Sequence, residues 1–278
     1  MKSASGPTGM ASAVSSPAIV SVVLVVHNQS ALTRACVASL RRTRRPFELC
    51  VVDNASRDDT EADFAHWSGA PPLRYHRNTE NVGLIRALNQ GARLAVGDRL
   101  CFIHNDTEMF DSAWLDKLDN ALTSEKRVGL AGLYGARRLR RNGRYAGRTI
   151  VHCLAERPTL IRPVVEVAAV DGVCLFISRA LLHEVGGFDE DYGFFHGYDR
   201  DLSLAVRAAG YRCAVVNAPF AHRGGGTRTG TGAPVTVAND LAQRREALAR
   251  FVNKWGHALP ADVRTLRERL ADRLRRRG

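Results

Sequence analysis

Three polar clusters follow apolar runs in the first part of the chain. His27-Asn28 follows AIVSVVLVV (18–26), Asp53-Asn54 closes FELCVVD (47–53), and Asn105-Asp106-Thr107-Glu108 follows RLCFIH (99–104). Side chains of these types can pair with the donor and acceptor edge of a heterocyclic base. Carboxylate oxygens can also hold a divalent cation. Further on, FDEDYGFFHGYDRD (188–201) mixes acids with aromatics. HRGGGTRTGTG (222–232) sets a histidine before a run so rich in glycine that it reads as a mobile flap.

The elements between these clusters decide whether they can meet. AIVSVVLVV is an unbroken β-branched run, as a strand buried on both faces requires. Residues 30–43 place Leu32, Cys36, Val37 and Leu40 at helical spacing, with Ser30 as the expected N-cap. Asp58 is the expected cap of a helix through Phe64 and Trp67. LRYH (73–76) reads as a strand, 82–96 as a helix and 99–104 as a fourth strand. Such alternation with short connections predicts an α/β fold with a mostly parallel sheet. In sheets of that kind ligands bind beyond the carboxyl ends of the strands, where the three polar clusters fall. In the second half, 164–178 reads as strand, turn and strand, 201–210 as a helix and YRCAVVN as a strand. Residues 237–254 and 259–276 read as amphipathic helices, the last with Leu259, Val263, Leu266, Leu270 and Leu274 as its stripe.

Composition bounds the class. The 278 residues are 45% hydrophobic and 24% charged, so collagen-like, fibrous and wholly disordered readings are excluded. No apolar run approaches the ~20 residues of a membrane span. The six cysteines form no CxxC pair, which argues against a zinc ribbon, and they read as small buried hydrophobes. Residues 1–17 are small and polar and read as a disordered leader. A GxxxxGK[ST] loop, a GxGxxG turn after the first strand and a GxSxG elbow are all absent. A P-loop ATPase, a dinucleotide-binding dehydrogenase and an α/β-hydrolase therefore lose ground.

Five segments, in order from about residue 18 to 232, resemble the family 2 glycosyltransferases of GT-A fold. VSVVLVVHNQ is similar to the family's first strand, and ELCVVDNASRDDT to its VDNxSxDxT segment. NTENVGLIRALNQGARLAVGDRLCFIHNDTE resembles the NxGxxxAxNxG helix and the strand that carries the DxD motif. VGGFDEDYGFFHGYDRDLSLAVRAAGY resembles the acceptor-side block, and AHRGGGT the late histidine motif.

The resemblance implies an inverting transfer from a nucleotide-diphosphate sugar to an acceptor hydroxyl. The chemistry needs one in-line attack with a carboxylate base within hydrogen-bond reach, and no covalent intermediate. Position by position, it places Asp199 as the base. Asp53 would accept from the N3–H of uracil or thymine, with His27, Asn28, Asn54, Asn81 and Asn105 lining the nucleotide pocket. Gly83 would let the backbone approach the nucleotide. Asp106 and His222 would hold Mn²⁺ or Mg²⁺. An Asp/His set favours Mn²⁺, because imidazole suits softer ions. Asp171, Gly172 and Asp201 would contact acceptor or donor sugar; Asp171 is as readily a turn residue, and Asp201, at the helix start, a cap. Two positions depart from the family pattern: His104 stands for the first acid of DxD, and Tyr198 for the glutamate before the base. The HxD variant and the VDNAS segment resemble rhamnosyltransferases, which points to a dTDP- or UDP-linked donor.

The expected organisation is a nucleotide-sugar half (18–110), an acceptor and catalytic half (111–235) and basic C-terminal helices (236–278). The net charge of +12 is concentrated in two places. Residues 134–162 hold eight arginines and one acid, and 240–278 hold eleven basic and five acidic residues. Arginine clusters suit phosphate or carboxylate recognition, so an anionic acceptor, lipid-linked or phosphorylated, is one expectation for 134–148. A glycan or a small molecule is the wider class. The C-terminal arginines and leucines fit a helix lying on an anionic membrane, in a cytoplasmic protein at the inner face. A solvated arginine-rich surface is the alternative for both segments. A nucleic-acid-binding protein and a sugar nucleotidyltransferase are the competing functions. The first lacks basic runs interleaved with aromatics, and the second lacks a glycine-rich triphosphate loop.

Overall fold

The strands that carry the polar clusters are buried almost end to end, as their largely apolar runs lead one to expect. The computed structural model describes residues 18–160, 162–224 and 237–274. The expected leader (1–17) and most of the expected flap (from 225) lie outside the described residues.

In chain order, β1 (Val20–Val26), α1 (Ser30–Leu40), β2 (Glu48–Asp53), α2 (Thr60–Ala65), β3 (Leu73–Arg77), α3 (Leu84–Leu94) and β4 (Arg99–His104) alternate as the pattern predicts. β5 (Thr107–Met109), α4 (Trp114–Ser124), β6 (Val128–Gly132), β7 (Tyr134–Ala136), β8 (Ile150–His152), β9 (Val164–Val167), β10 (Ala169–Val170) and β11 (Cys174–Ser178) follow. The chain then forms α5 (Arg179–Glu184), α6 (Tyr198–Ala208), β12 (Arg212–Val216), β13 (Phe220–His222), α7 (Val237–Trp255) and α8 (Leu266–Leu274).

The main sheet has the order β3-β2-β1-β4-β11-β6-β12-β9. It is mostly parallel; β11 and β9 run against their neighbours. β11, from the second half of the chain, sits between β4 and β6, so both expected halves share one sheet. All six cysteines are buried and free in its core.

Register positions the site. Val26 lies opposite Asp53 and Val25 opposite His104, so three strand ends finish along one edge. Because β11 is antiparallel, it starts at that edge, with Cys174 opposite Ile103. The turn before β11, Asp171-Gly172, therefore stands beside His104, whose N–H donates to the Val173 carbonyl at 3.1 Å. β13 pairs with β5 and sets His222 opposite Thr107.

Three local expectations are corrected. Gln29, in a left-handed conformation, precedes α1, and Ser30 is its first residue rather than its cap. The Ser30 N–H donates to Asp58, which also accepts from the Thr60 N–H at the start of α2. α6 starts at Tyr198, so Asp201 lies inside the first turn and does not open the helix. The final helix starts at Leu266, because Thr265 and Glu268 exchange hydrogen bonds as a capping box. Leu259 to Val263 instead run beside the 134–148 arginines: the Leu139 N–H donates to Ala261 and the Val263 N–H to Arg137. Arg137 makes a two-pronged ion pair with Glu268 at 2.7 and 3.0 Å. Part of each basic segment is thus neutralised by the other. Leu266 and Leu270 of the expected stripe are exposed, and the Leu274 side chain lies outside the described residues.

Candidate active site

Three cavities along the strand-end edge are linked by shared walls. The first, 420 Å³, is lined by His27, Asn28, Ser56, Arg57, Arg77 and Asn81 among others. The second, 150 Å³, shares His27 and Asn81 with it and reaches His104, Asp106 and His222 past the apolar Leu84, Leu88 and Phe102. The third, 730 Å³, shares His104, Gly172, Tyr198 and His222 with the second and opens on Asp171 and Asp199.

The first cavity is built from loop backbones locked by amides. Asn28 (φ 54°), Gln29 (φ 62°) and Ala55 (φ 62°) all sit in the left-handed region, a strained conformation that needs support. Asn28 supplies it: its side-chain oxygen accepts from the Arg57 N–H and its own N–H donates to Ser56 Oγ. His27 Nδ1 pairs with the Asn54 carbonyl at 2.7 Å. The Asn54 amide donates to Asn81 Oδ1, which also accepts from the Gly83 N–H. Gly83 has φ +88° and lies under Phe194, so a side chain there would be both strained and crowded.

Two expected nucleotide contacts have partners within the protein. Asp53 is fully buried; its oxygens accept from the Ser56 N–H and the Tyr75 hydroxyl, with Arg77 3.8 Å away. It holds the turn that shapes the first cavity and presents no free carboxylate edge to it. Asn105 lines the second cavity, yet its amide donates to Thr33 Oγ1 of α1. The contacts of Asp53 are those of a residue that fixes a turn.

His104, Asp106 and His222 form a cluster in which one ligand atom from each lies within 4.8 Å of the others. His222 Nε2 stands 3.2 Å from Asp106 Oδ1 and 3.4 Å from His104 Nδ1. Asp106 is buried, and among the described residues its Oδ1 has no partner besides the His222 imidazole. Burial works against its charge, but the His222 hydrogen bond and both imidazoles outweigh this and hold its carboxyl below the usual range. A buried carboxylate oxygen grouped with two imidazole nitrogens is a donor set that fits a divalent cation. The sequence treated His104 as the loss of an acid; its place in the cluster makes it a candidate ligand. The signal was its position in the DxD triplet.

His104 Nε2 lies 3.1 Å from Tyr198 Oη. If that nitrogen donates its N–H to the phenol oxygen, the Nδ1 lone pair faces the cluster, the arrangement usual for a metal-bound imidazole. The two departures from the family pattern, His104 and Tyr198, therefore touch. Gly172 makes room for them. A Cβ at 172 would collide with the Tyr198 hydroxyl. We expect Gly172→Ala to displace Tyr198 and weaken Mn²⁺ binding by about 10-fold, as outer-shell changes commonly do, with Mn²⁺ titration as the check.

Asp199 forms part of the third cavity's wall, with 15% of its side chain exposed. Its Oδ2 accepts from the Tyr145 hydroxyl at 3.2 Å and its Oδ1 from the Arg200 N–H, with Arg200 Nε 3.7 Å away. Burial, then the nearby Asp199 and Asp171, keep the Tyr145 phenol neutral and able to donate. Sequence reasoning missed Tyr145, which carried no signal beyond lying in the arginine-rich run. Asp201 is not in this cavity. It is buried against α7, accepting from Tyr192, from Trp255 Nε1 at 2.7 Å and from Lys254. Those contacts leave no face for a sugar, which corrects its expected contact role.

Asp171 shares the cavity with Asp199. Burial and then repulsion from Asp199 raise its pKa to about 6, from 3.8. The folded state therefore favours the protonated form. This contribution is fully present below pH ~4 and is lost as pH rises through about 6. Above that, the ionised carboxylate costs roughly 1–3 kcal/mol. We expect Asp171→Asn to raise Tm by a few degrees at pH 8 and by almost nothing at pH 4, measured by thermal unfolding.

The α/β sheet and its strand-end site have known relatives. The family model described as Glycosyl transferase family 2 matches residues 21–185, and the chain belongs to that family. The O-antigen biosynthesis protein RfbC of Myxococcus xanthus is 28% identical over 213 residues, covering 69% of this chain and 16% of that protein. A PGL/p-HBAD biosynthesis glycosyltransferase of Mycobacterium bovis is 34% identical over 103 residues, covering 35% of this chain and 39% of that protein. Curated relatives matched over most of this chain are far longer: the chain spans 23% of one and 16% of another. Among solved structures, the mannosyltransferase PcManGT of Pyrobaculum calidifontis, in complex with GDP-Man and Mn²⁺, superposes with TM-score 0.54 at 22% identity, covering 72% of this chain and 55% of that one. Residues 1–349 of S. aureus TarS, in complex with UDP-GlcNAc, superpose with TM-score 0.59 at 15% identity, covering 87% and 67%. At those identities the likeness shows the fold, a GT-A α/β sheet.

Proposed function

We propose that the chain is an inverting glycosyltransferase that moves a sugar from a nucleotide-diphosphate donor to an acceptor hydroxyl. The observation that carries this is the continuity of the three cavities: a base-sized pocket, a cation-competent cluster and a carboxylate-lined cleft, joined by common walls. Donor and acceptor would meet at the His104–Gly172–Tyr198–His222 boundary.

In this reading the base rests on loops held by Asn28, Asn54 and Asn81, and Asp53 is a positioning residue. His104, Asp106 and His222 would hold the cation, which when bound neutralises the diphosphate as it leaves. Two imidazoles and one carboxylate favour Mn²⁺ over Mg²⁺. Asp199 takes the proton of the attacking hydroxyl, oriented by Tyr145 and kept charged-paired by Arg200. The donor is read as dTDP- or UDP-linked, from the resemblance of the VDNAS and HxD segments to rhamnosyltransferases.

The test is a panel of UDP-, dTDP- and GDP-sugars with Mn²⁺, read by thermal shift and by nucleoside diphosphate release. At least one donor should raise Tm and turn over only with the divalent cation. If no nucleotide sugar binds with Mn²⁺ or Mg²⁺, the proposal fails.

A further inference from the structure

We propose that the acceptor carries a phosphate group near the hydroxyl that is glycosylated, and that Arg144, Arg244 and Arg245 bind that phosphate. The inference rests on the reading of the Asp199 cleft as the acceptor site and names the chemistry of its occupant.

The cleft has two walls of different character. One carries Asp171, Gly172 and Asp199; the other is the face of α7 that presents Leu241, Arg244, Arg245 and Leu248, with Arg144 entering from the 134–148 segment. Positions three, four and seven apart share one side of a helix, so α7 aims both arginines at the cavity together. Among the described residues, four arginines and no lysine line the cleft. That choice suits a phosphate, which a planar guanidinium grips with two parallel hydrogen bonds.

The charges are unevenly spoken for. Arg200 is engaged structurally: it stacks over Tyr145 and Phe251, donates to the Gly143 carbonyl and stands by Asp199. Arg244 has a long ion pair, 3.7 Å, with Asp240, whose other oxygen accepts from His196 at 2.8 Å. Arg144 and Arg245 make no ion pair among the described residues, and both are exposed. With Asp199 already beside Arg200, the α7 side of the cleft keeps an excess of guanidinium charge facing a 730 Å³ space. Three guanidinium groups lining one cleft match a tetrahedral dianion better than a single carboxylate.

The same geometry separates these arginines from the rest of the basic run. Arg137 is held by Glu268 and Arg138 by Asp262, so neither is available. Arg140, Arg141 and Arg148 are exposed and do not line the cleft. The sequence suggested a whole segment that recognises anions; the fold leaves one arginine of it in the cleft and adds two from α7.

The test is calorimetric titration of the full chain with glucose 1-phosphate, a farnesyl diphosphate-linked glucose, methyl glucoside and inorganic phosphate. Either phosphorylated sugar should bind at least about 10-fold more tightly than methyl glucoside and than inorganic phosphate, and the tighter of the two identifies a free or a lipid-linked source. Arg144→Ala, Arg244→Ala and Arg245→Ala should each weaken that binding by about 10-fold, as loss of a charge-assisted hydrogen bond does. Arg141→Ala should leave it unchanged. Equal binding of the phosphorylated and neutral sugars overturns the proposal, as does inorganic phosphate binding as tightly as the sugar phosphates (an adventitious anion site). An Arg141→Ala loss equal to that of Arg144→Ala also overturns it. The underlying reading fails differently: if Asp199→Asn retains full transfer while anion binding still follows the three arginines, the base assignment falls and the phosphate site stands.

Discussion

Asp199→Asn should lower the transfer rate by about 10²–10⁴-fold, the range associated with losing a general base. Asn is nearly isosteric, so Oδ1 can still accept from the Arg200 N–H, and the Tyr145 hydroxyl keeps a partner. What is lost is the charge that accepts the proton. The effect belongs in kcat, with donor KM and Mn²⁺ affinity little changed, because Asp199 is outside the cluster of His104, Asp106 and His222. Tyr145→Phe is a milder test of the same arrangement. It removes a 3.2 Å hydrogen bond and frees the carboxylate to rotate, so kcat should fall by about 10-fold. An Asp199→Asn variant with wild-type kcat would remove Asp199 from the mechanism and turn attention to Asp171, the other carboxylate of the cleft.

Asp106→Ala should abolish divalent-dependent donor binding, with turnover falling by at least about 100-fold. Asp106 is the one acid of the cluster among the described residues, and its buried Oδ1 faces the His222 imidazole at 3.2 Å. Removing it leaves two imidazoles and no carboxylate, a poor site for a hard cation beside a diphosphate. Mn²⁺ titration, by electron paramagnetic resonance or by the nucleotide-dependent Tm shift, reads this directly. His104→Asp is the instructive companion. It restores the family's acid and should move preference toward Mg²⁺, but it breaks the 3.1 Å contact with Tyr198. We therefore expect His104→Asp alone to be impaired, and Tyr198→Glu alone likewise. Wild-type Mn²⁺ affinity and turnover in Asp106→Ala would show that the cluster holds no cation needed for catalysis.

Much of the architecture could be read directly from residue patterns. The alternation of β-branched runs with helical spacing over 18–104 predicted β1 to β4 and α1 to α3 within a few residues. Where boundaries moved, a specific local contact moved them. The Thr265–Glu268 capping box delays the last helix to Leu266, and the Tyr198 start of α6 encloses Asp201. The site was legible as a set of residues more than as a set of roles. Asp53 looked like a base contact because its type and strand-end position allowed it. The fold closes it off with Ser56, Tyr75 and Arg77. Asp201 looked available, but α7 covers it, and a helix 36 residues downstream leaves no mark on the local pattern.

The sequence by itself determined the class of sheet, the strand ends as the place for polar chemistry, and the family, because periodicity and ordered motifs are local properties. Only the tertiary structure decided which side chains meet. His222 reaches Asp106 because β13 pairs with β5, and Asp171 reaches the cleft because β11 runs antiparallel beside β4. His104 and Tyr198, two separate departures in the sequence, become one contact through a glycine that leaves space for the phenol. Likewise, the arginine excess divides into pairs that staple the C-terminal segment and a few that face the cleft, since charge partnership depends on distances that residue order does not encode.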